Sequence, residues 1–494
     1  MADQQTNVPK ADKQQLQPYH VALIKSISGI RGTIGGRTGE SLTPLDVVKF
    51  TAAFGQWLLN GQRGQPGPHT VVIGRDGRLS GPMVSQLVAA TLQGMGLNVL
   101  DLGLSTTPTV EMAVPGENAI GGIILTASHN PIQWNALKLL NSKGEFISGA
   151  DGEALLAIAE AESFTFAEVK KLGQYRTDSA SETSWMQKHI DQILALPLVD
   201  REAIVKRNFK VVVDAVNSTG GLAVPMLLTA LGVELITKLH CEPTGNFAHN
   251  PEPLPENLTD ILNATRRDSQ DLGIVVDPDV DRLAFICEDG SPFGEEYTLV
   301  AVADYVLKNS PEGRRNTVSN LSSTIALRDV TQKYGGQHFA SAVGEVNVVE
   351  MMKANDALIG GEGNGGIIYP ELHYGRDALV GIALFLSHLA RFGKSASILR
   401  RTYPSYYISK NKIELTPNID VDAVLDKIKA KYARNPVNTA DGVKIEFDKE
   451  WVHLRKSNTE PIIRIYSESD TLSTADYLAN KIISDIREVI ADKM

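Results

Sequence analysis

Three carboxylates stand within one short stretch, Asp277-Pro278-Asp279-Val280-Asp281-Arg282, between the apolar runs LGIVV and LAFIC. Alternate residues of an extended chain point the same way, so the spacing predicts that the carboxylates converge. Converging anions repel strongly unless a cation neutralises them, and oxygen-only ligands suit a hard ion, Mg²⁺ or Ca²⁺. Counted from Asp277, Glu288 falls at the last position of an EF-hand loop. Arg282 then stands where that loop requires glycine, and the flanks read as strands rather than helices. The EF-hand reading fails. A plain turn of solvated aspartates is the alternative, and the apolar flanks weigh against it. Arg282 offsets part of the charge and can reach a bound phosphate.

Three other loops carry groups of the same kind. Thr126-Ala127-Ser128-His129-Asn130-Pro131 follows the apolar run AIGGIIL, and the end of a parallel strand is where ligand sites form in α/β sheets. No Gly-x-Ser-x-Gly elbow surrounds Ser128, which argues against an acyl hydrolase; a Ser/Asn turn that merely caps the next segment remains open. Lys138 beyond it could carry a proton or contact a phosphate, though a single lysine is more often solvated. Gly360-Gly361-Glu362-Gly363-Asn364-Gly365-Gly366 lets the backbone approach a ligand and offers Glu362 and Asn364 as its side chains. A carboxylate can accept from two neighbouring hydroxyls, as a sugar ring requires. Arg455-Lys456-Ser457-Asn458-Thr459-Glu460-Pro461, with Arg464 beyond it, gathers the donors that a phosphate needs.

These loops need a scaffold, and the chain repeats one unit. Residues 70–103 read as a strand, a Gly/Ser loop, a helix with Val84, Leu87, Val88, Thr91 and Leu92 at helical spacing, a glycine stop and a second strand. Residues 210–236 repeat that order, and residues 317–343 repeat it more loosely. Short apolar strands alternating with helices imply βαβ units. The expected fold class is α/β: three related α/β domains with mixed, largely parallel sheets, followed by a C-terminal α+β domain around a central cleft. The polar stretches 164–183 and 248–255 are expected to interrupt the pattern. The expected division is a disordered tail over 1–20, then domains over 21–178, 179–291, 292–402 and 403–494. In the last of these, strand-like runs over 407–415, 442–447 and 462–466 alternate with helices over 421–432 and near the C-terminus.

Composition excludes several classes. The chain has 494 residues, 43% hydrophobic and 21% charged, which suffices for sizeable cores. A net charge of −10 disfavours nucleic acid and anionic membranes as partners. Two cysteines, Cys241 and Cys287, exclude a disulfide scaffold and fit a reducing compartment. The longest apolar run spans only 378–386, well short of a membrane span of about 18 residues or more, and the N-terminus lacks the apolar core of a signal peptide. A cytoplasmic location is expected.

Taken together, the motifs 126–131, 277–282, 361–366 and 455–461 resemble the four signature loops of the α-D-phosphohexomutase superfamily, in the same order and at similar spacing. Ser28-Gly29-Ile30-Arg31-Gly32 is similar to that family's N-terminal loop. The resemblance covers nearly everything after the tail. It implies a phosphohexomutase that interconverts hexose 6-phosphate and hexose 1-phosphate through a phosphoserine enzyme and a hexose 1,6-bisphosphate. Ser128 would be the phosphorylated nucleophile. Asp277, Asp279 and Asp281, with the Ser128 phosphate, would hold one Mg²⁺. Arg31 and Lys138 would serve proton transfer and charge stabilisation, with His129 helping to position the loop. Arg282, Glu362 and Asn364 would contact substrate; Arg455, Ser457, Asn458 and Thr459 would grip the phosphate that is not reacting. The partner would be a small sugar phosphate, and the chain a monomer or homodimer.

Two positions depart from the family pattern. Gly366 stands where many relatives carry histidine, and Val346 where they often carry a basic residue. These departures favour glucosamine phosphate as substrate, with mannose or glucose phosphate as the close alternative, and Glu345 is expected to help by offering charge to an amino sugar. A metal-dependent sugar phosphatase and a non-catalytic sugar-phosphate sensor are the rivals from other classes.

Overall fold

The computed structural model describes residues 23–26, 29–62, 69–180, 183–310, 313–415, 419–456 and 462–491. The expected tail and the clamp residues Ser457, Asn458 and Thr459 lie outside the described residues. Among the described residues the chain forms four β-sheets. The first has seven strands in the order Leu23–Ser26, Gly29–Thr33, Trp134–Leu140, Gly121–Leu125, Thr70–Arg75, Asn98–Leu104, Tyr175–Thr177. Its pairings are antiparallel as far as Gly121–Leu125 and parallel beyond.

Each expected strand–helix–strand unit forms. Strand Thr70–Arg75 leads into helix Gly81–Gly94, which buries Val84, Val88 and Leu92, and strand Asn98–Leu104 returns parallel to the first. Strand Lys210–Asp214, helix Gly220–Leu231 and strand Leu235–Leu239 repeat this. Gly232 ends the helix at φ +87°, a conformation that glycine adopts without a Cβ clash. Strand Thr317–Asn320, helix Ala326–Lys333 and strand His338–Ser341 form the third copy. The second and third sheets each add one antiparallel edge strand, Leu283–Cys287 and Gly366–Ile368.

These two sheets share one core. Helix Ala378–Phe392 is buried on nearly all its faces and packs against helices Glu295–Asn309, Gly220–Leu231 and Trp185–Leu194. A helix apolar all round must be enclosed, so apolar residues from Met186 to Tyr403 merge into a single cluster around Phe285, Phe293 and Phe385. The stretch 248–255 is irregular, as expected of an interruption in the pattern, and it folds against the second sheet: His249 Nε2 meets Asp214, and Glu252 pairs with Arg282.

The last sheet is wholly antiparallel, in the order Tyr407–Glu414, Ile462–Ser469, Trp451–Lys456, Val443–Glu446, Val437–Asn438, and helices Val421–Lys431 and Leu472–Ala491 complete its core. Trp451–Lys456 was not anticipated as a strand, because its first four residues are all buried and show no alternation. It leaves Arg455 opposite Arg464 on the neighbouring strand. This sheet is tied to the third unit: Lys444 Nζ donates to the Leu321 carbonyl at 2.8 Å, Ile325 N donates to Glu468 Oε2 at 2.9 Å, and His453 Nδ1 lies 2.9 Å from Ser322 Oγ. No helix among the described residues is long and apolar enough to cross a membrane.

Burial depresses His338 to about 3. Between pH 6.5 and that value the unfolded chain binds a proton that the folded chain does not, so stability falls as pH falls. The slope from this one group is at most about 1.4 kcal/mol per pH unit. Urea unfolding at pH 7 and pH 5 should show a smaller acid loss for His338→Gln than for the parent. Equal losses would mean that His338 is not held neutral.

Candidate active site

The fully buried strand Gly121–Leu125 delivers the serine loop. Thr126 Oγ1 donates to Asp76 Oδ2 at 2.6 Å and accepts from Ser128 N at 2.9 Å. Ser128 sits at φ +48°, a left-handed conformation that costs a non-glycine residue roughly 1–2 kcal/mol. Arg78 holds it there. This arginine is fully buried, and its guanidinium donates to the carbonyls of Ser128, Asn130, Pro131 and Trp134 and to Asp76 Oδ2. The Ser128 hydroxyl, within a residue only 3% exposed, donates to Asp277 Oδ2 at 2.6 Å. The serine and the acidic triplet, 149 residues apart in sequence, are direct neighbours.

The three carboxylates converge, their ligand atoms all lying within 4.8 Å of one another. The chain there is a tight turn rather than the extended run expected from the spacing. Asp277 Oδ1 accepts from Asp281 N and Arg282 N at 3.1 Å each, and Val280 sits at φ +64°. Positive charge comes from elsewhere. Lys138 Nζ, buried on strand Trp134–Leu140, donates to Asp279 Oδ2 at 2.7 Å and Asp281 Oδ2 at 3.3 Å. Thr107 Oγ1 adds a donor to Asp279 Oδ2 at 2.6 Å. Burial, together with Asp279 and Asp281, pushes the Asp277 carboxyl well above the usual range. Burial also opposes ionisation of Asp279, but Lys138 and Thr107 outweigh it and hold that carboxyl well below. Asp279 Oδ1 and Asp281 Oδ1 are buried without hydrogen-bond partners. Orphaned carboxylate oxygens are costly, and an oxygen-only set with such free lone pairs fits a Mg²⁺-like ion.

Above the serine opens a cleft of about 1200 Å³ that all four parts of the chain line. Arg31, His129 and Asn130 come from the first, Arg282 from the second, Glu362 and Asn364 from the third, and Arg455 and Arg464 from the fourth. Arg31 Nη1 donates to Asn130 Oδ1 at 2.7 Å. Burial, with Arg282 and Arg31 nearby, pushes His129 well below its ordinary value; its Nδ1 lies 3.4 Å from Ser128 Oγ. Asn364 Oδ1 accepts from Gly366 N at 3.1 Å, so its amide partly serves the turn itself. Arg455 forms an ion pair with Asp441 at 2.8 Å. Lys25, Glu295, Glu296, Lys410 and Tyr466 also line the cleft, and nothing in the sequence pattern singled them out.

Arg376 is the principal residue that sequence reasoning missed. Its guanidinium donates to Asp281 Oδ2 at 2.7 Å, Glu345 Oε2 at 2.9 Å and Glu362 Oε2 at 2.8 Å, all buried. It stands against the sugar loop: a Cβ at Gly366 would lie 2.4 Å from Arg376 Cδ. Arg376 therefore fills the space that any side chain at position 366 would claim. Glu345 is correspondingly occupied, its carboxylate accepting from Arg376 N and Nε, and it does not line the cleft. The expectation that Glu345 faces an amino sugar is not met. Val346 likewise borders a separate small cavity with Lys353 and Tyr374.

Comparison with known proteins agrees with this arrangement. Residues 23–166, 187–290 and 294–406 match alpha/beta/alpha domains I, II and III of phosphoglucomutase/phosphomannomutase, and residues 412–484 match its C-terminal domain. A phosphoglucomutase/phosphomannomutase of Thermococcus kodakarensis is 35% identical, over 90% of this chain and 96% of its own. A phosphoglucosamine/phosphogalactosamine mutase of Sulfurisphaera tokodaii is 30% identical, over 94% and 98%. The crystal structure of a phosphoglucomutase/phosphomannomutase family protein from Burkholderia thailandensis superposes with a TM-score of 0.80 at 25% identity, covering 94% of this chain and 98% of that one. The chain belongs to the phosphoglucomutase/phosphomannomutase family and is an isomerase of the phosphohexomutase type.

Removing Arg376 strands buried carboxylates, and breaking a buried pair from one side costs about 3–5 kcal/mol. Arg376→Met should lower stability by about that amount in urea unfolding. Arg376→Lys should recover part of the loss, since one ammonium cannot span three carboxylates. A stability unchanged in Arg376→Met would show the contacts to be energetically idle.

Proposed function

We propose that this phosphohexomutase interconverts hexose 6-phosphate and hexose 1-phosphate through phosphorylated Ser128 and a hexose 1,6-bisphosphate, with glucosamine phosphate as the preferred sugar. The observation that carries the reading is the Ser128 hydroxyl 2.6 Å from the acidic triplet, beside a cleft lined by all four parts of the chain. Asp277, Asp279 and Asp281, with an oxygen of the Ser128 phosphate, would hold Mg²⁺. When bound, that ion screens the phosphoryl charge and polarises the transferring group.

The chain's own groups do the rest. A substrate hydroxyl oxygen attacks phosphorus as the Ser128 Oγ–P bond breaks, and the hydroxyl proton passes to the released Ser128 Oγ, while His129, held neutral by burial and its arginine neighbours, helps to position the loop. Burial works against the Lys138 ammonium, but Asp279 and Asp281 outweigh it and keep it charged, so it stabilises the transferring oxygens rather than accepting the proton. Arg31 and Arg282 face the same end of the cleft. Arg455, with Ser457, Asn458 and Thr459, would bind the distal phosphate, and Glu362 and Asn364 the ring hydroxyls. After the bisphosphate turns end over end, its other phosphoryl group transfers to Ser128 Oγ and the proton returns. A clamp far from the metal loop suits both orientations. A phosphatase would instead pass the phosphoryl group to water and release inorganic phosphate.

The preference for an amino sugar is supported by the Sulfurisphaera relative, a phosphoglucosamine/phosphogalactosamine mutase. The Thermococcus relative supports glucose and mannose phosphates as the second reading. With trace bisphosphate present, kcat/KM for glucosamine 6-phosphate should exceed that for glucose and mannose phosphates by about tenfold or more, the scale of one net hydrogen bond. A ratio near unity would favour the second reading. Incubation with a hexose 1,6-bisphosphate should add one phosphoryl group at Ser128, seen by peptide mass spectrometry. Ser128→Ala should abolish that gain and lower isomerase turnover at least roughly a thousandfold. Full turnover by the alanine variant would end the proposal.

A further inference from the structure

A second set of ligating groups lies outside the cleft lining, where three parts of the fold meet. His189 comes from helix Trp185–Leu194, His373 from the segment before helix Ala378–Phe392, and Asp377 caps that helix through Oδ1. Asp377 Oδ2 lies 2.9 Å from His189 Nε2 and 3.4 Å from His373 Nε2, and ligand atoms of all three residues lie within 4.8 Å of one another. The two imidazoles meet edge to face, their centroids 6.2 Å apart. An ion holding nitrogen and oxygen ligands tetrahedrally at about 2.0–2.1 Å sets neighbouring ligand atoms about 3.3 Å apart. The two observed distances bracket that spacing.

The surroundings are those of metal-bound histidines. A ligating imidazole usually donates its other N–H to an oxygen that fixes its orientation. His189 Nδ1 lies 3.0 Å from Thr109 Oγ1, and His373 Nδ1 lies 3.5 Å from Glu111 Oε2. Glu111 is 2% exposed, and neither of its carboxylate oxygens has a hydrogen-bond partner. Gly375 makes room for it, since a Cβ there would lie 1.9 Å from Glu111 Oε2. Without an ion the two imidazoles share one carboxylate oxygen of Asp377, and the buried Glu111 carboxyl keeps no hydrogen bond of its own.

We propose that His189, His373 and Asp377 form a second cation site, structural rather than catalytic, which takes Zn²⁺ or a similar borderline divalent ion. Two imidazole nitrogens and one carboxylate select such an ion, whereas the all-oxygen triplet at the serine selects Mg²⁺. Thr109 and Glu111 stand on helix Thr107–Gly116, so one ion would pin the first unit to the shared core of the second and third. The proposal does not depend on which sugar the enzyme turns over.

The full chain, stripped with chelator, saturated with Mg²⁺ to fill the triplet and then dialysed against Zn²⁺, should retain one zinc per chain by elemental mass spectrometry and gain thermal stability. Co²⁺ in place of Zn²⁺ should give the visible absorption of a low-symmetry site. His373→Asn should lower zinc retention at least about tenfold, and His189→Gln should do the same. His373 is partly exposed, so its variant decides if the His189 variant fails to fold, and the cobalt spectrum needs no variant. No retained zinc in the parent chain, or equal retention in the His373 variant, would overturn the proposal and leave the cluster a hydrogen-bonded joint.

Discussion

Three carboxylates buried in one tight turn set the terms for the rest of the molecule. At the separations seen for Asp277, Asp279 and Asp281, like charges in a weakly polar interior repel by several kcal/mol per pair even at an effective dielectric constant of about 20. Within the turn Arg282 answers only part of that charge, since its guanidinium also pairs with Glu252. Further compensation comes from Lys138 on the first sheet and Arg376 at the end of the third. The turn can be buried only if those parts dock on it. The orphaned oxygens of Asp279 and Asp281 then leave room for a cation to complete the neutralisation. Charge, more than shape, makes one site out of separate sheets.

The serine is bound by the same logic. Its left-handed backbone is unfavourable by itself, and five hydrogen bonds from the Arg78 guanidinium, four of them to loop carbonyls, offset that cost. An arginine spent on carbonyls is unavailable to substrate phosphate. Arg31, Arg282, Arg455 and Arg464 line the cleft instead. Among these basic residues, the enclosed Arg78, Lys138 and Arg376 hold the loops, whereas Arg31, Arg282, Arg455 and Arg464 border the cleft.

How much of this was legible in the sequence follows from distance along the chain. The acidic triplet was readable because its three ligands are contiguous and flanked by apolar runs. The repeated strand–helix–strand units were readable because each is local. Arg78, Thr107 and Arg376 acquire meaning mainly from partners 14 to 172 residues away, and a single basic or hydroxyl residue carries no such signal. The convergence of the aspartates was anticipated from extended-chain alternation, yet a left-handed Val280 achieves it. Likewise the shared core of the second and third sheets was hidden, because helical periodicity in residues 378–392 does not reveal which sheet claims which face.

The relation between Gly366 and Arg376 shows why a departure at one position need not leave a hole in the chemistry. Glycine at 366 removes a side chain from the sugar loop, and the aliphatic part of Arg376 occupies that volume from behind. Its guanidinium then touches Glu362 of the glycine-rich loop and Asp281 of the acidic turn together. A cation entering the acidic turn would meet the free Oδ1 of Asp281, on the same carboxylate whose Oδ2 Arg376 holds. Any shift of Arg376 changes its grip on Glu362. One buried side chain thus joins the two loops, and on the proposed assignment of Glu362 to the sugar and the triplet to the ion, thermodynamic reciprocity would make each ligand influence the affinity for the other.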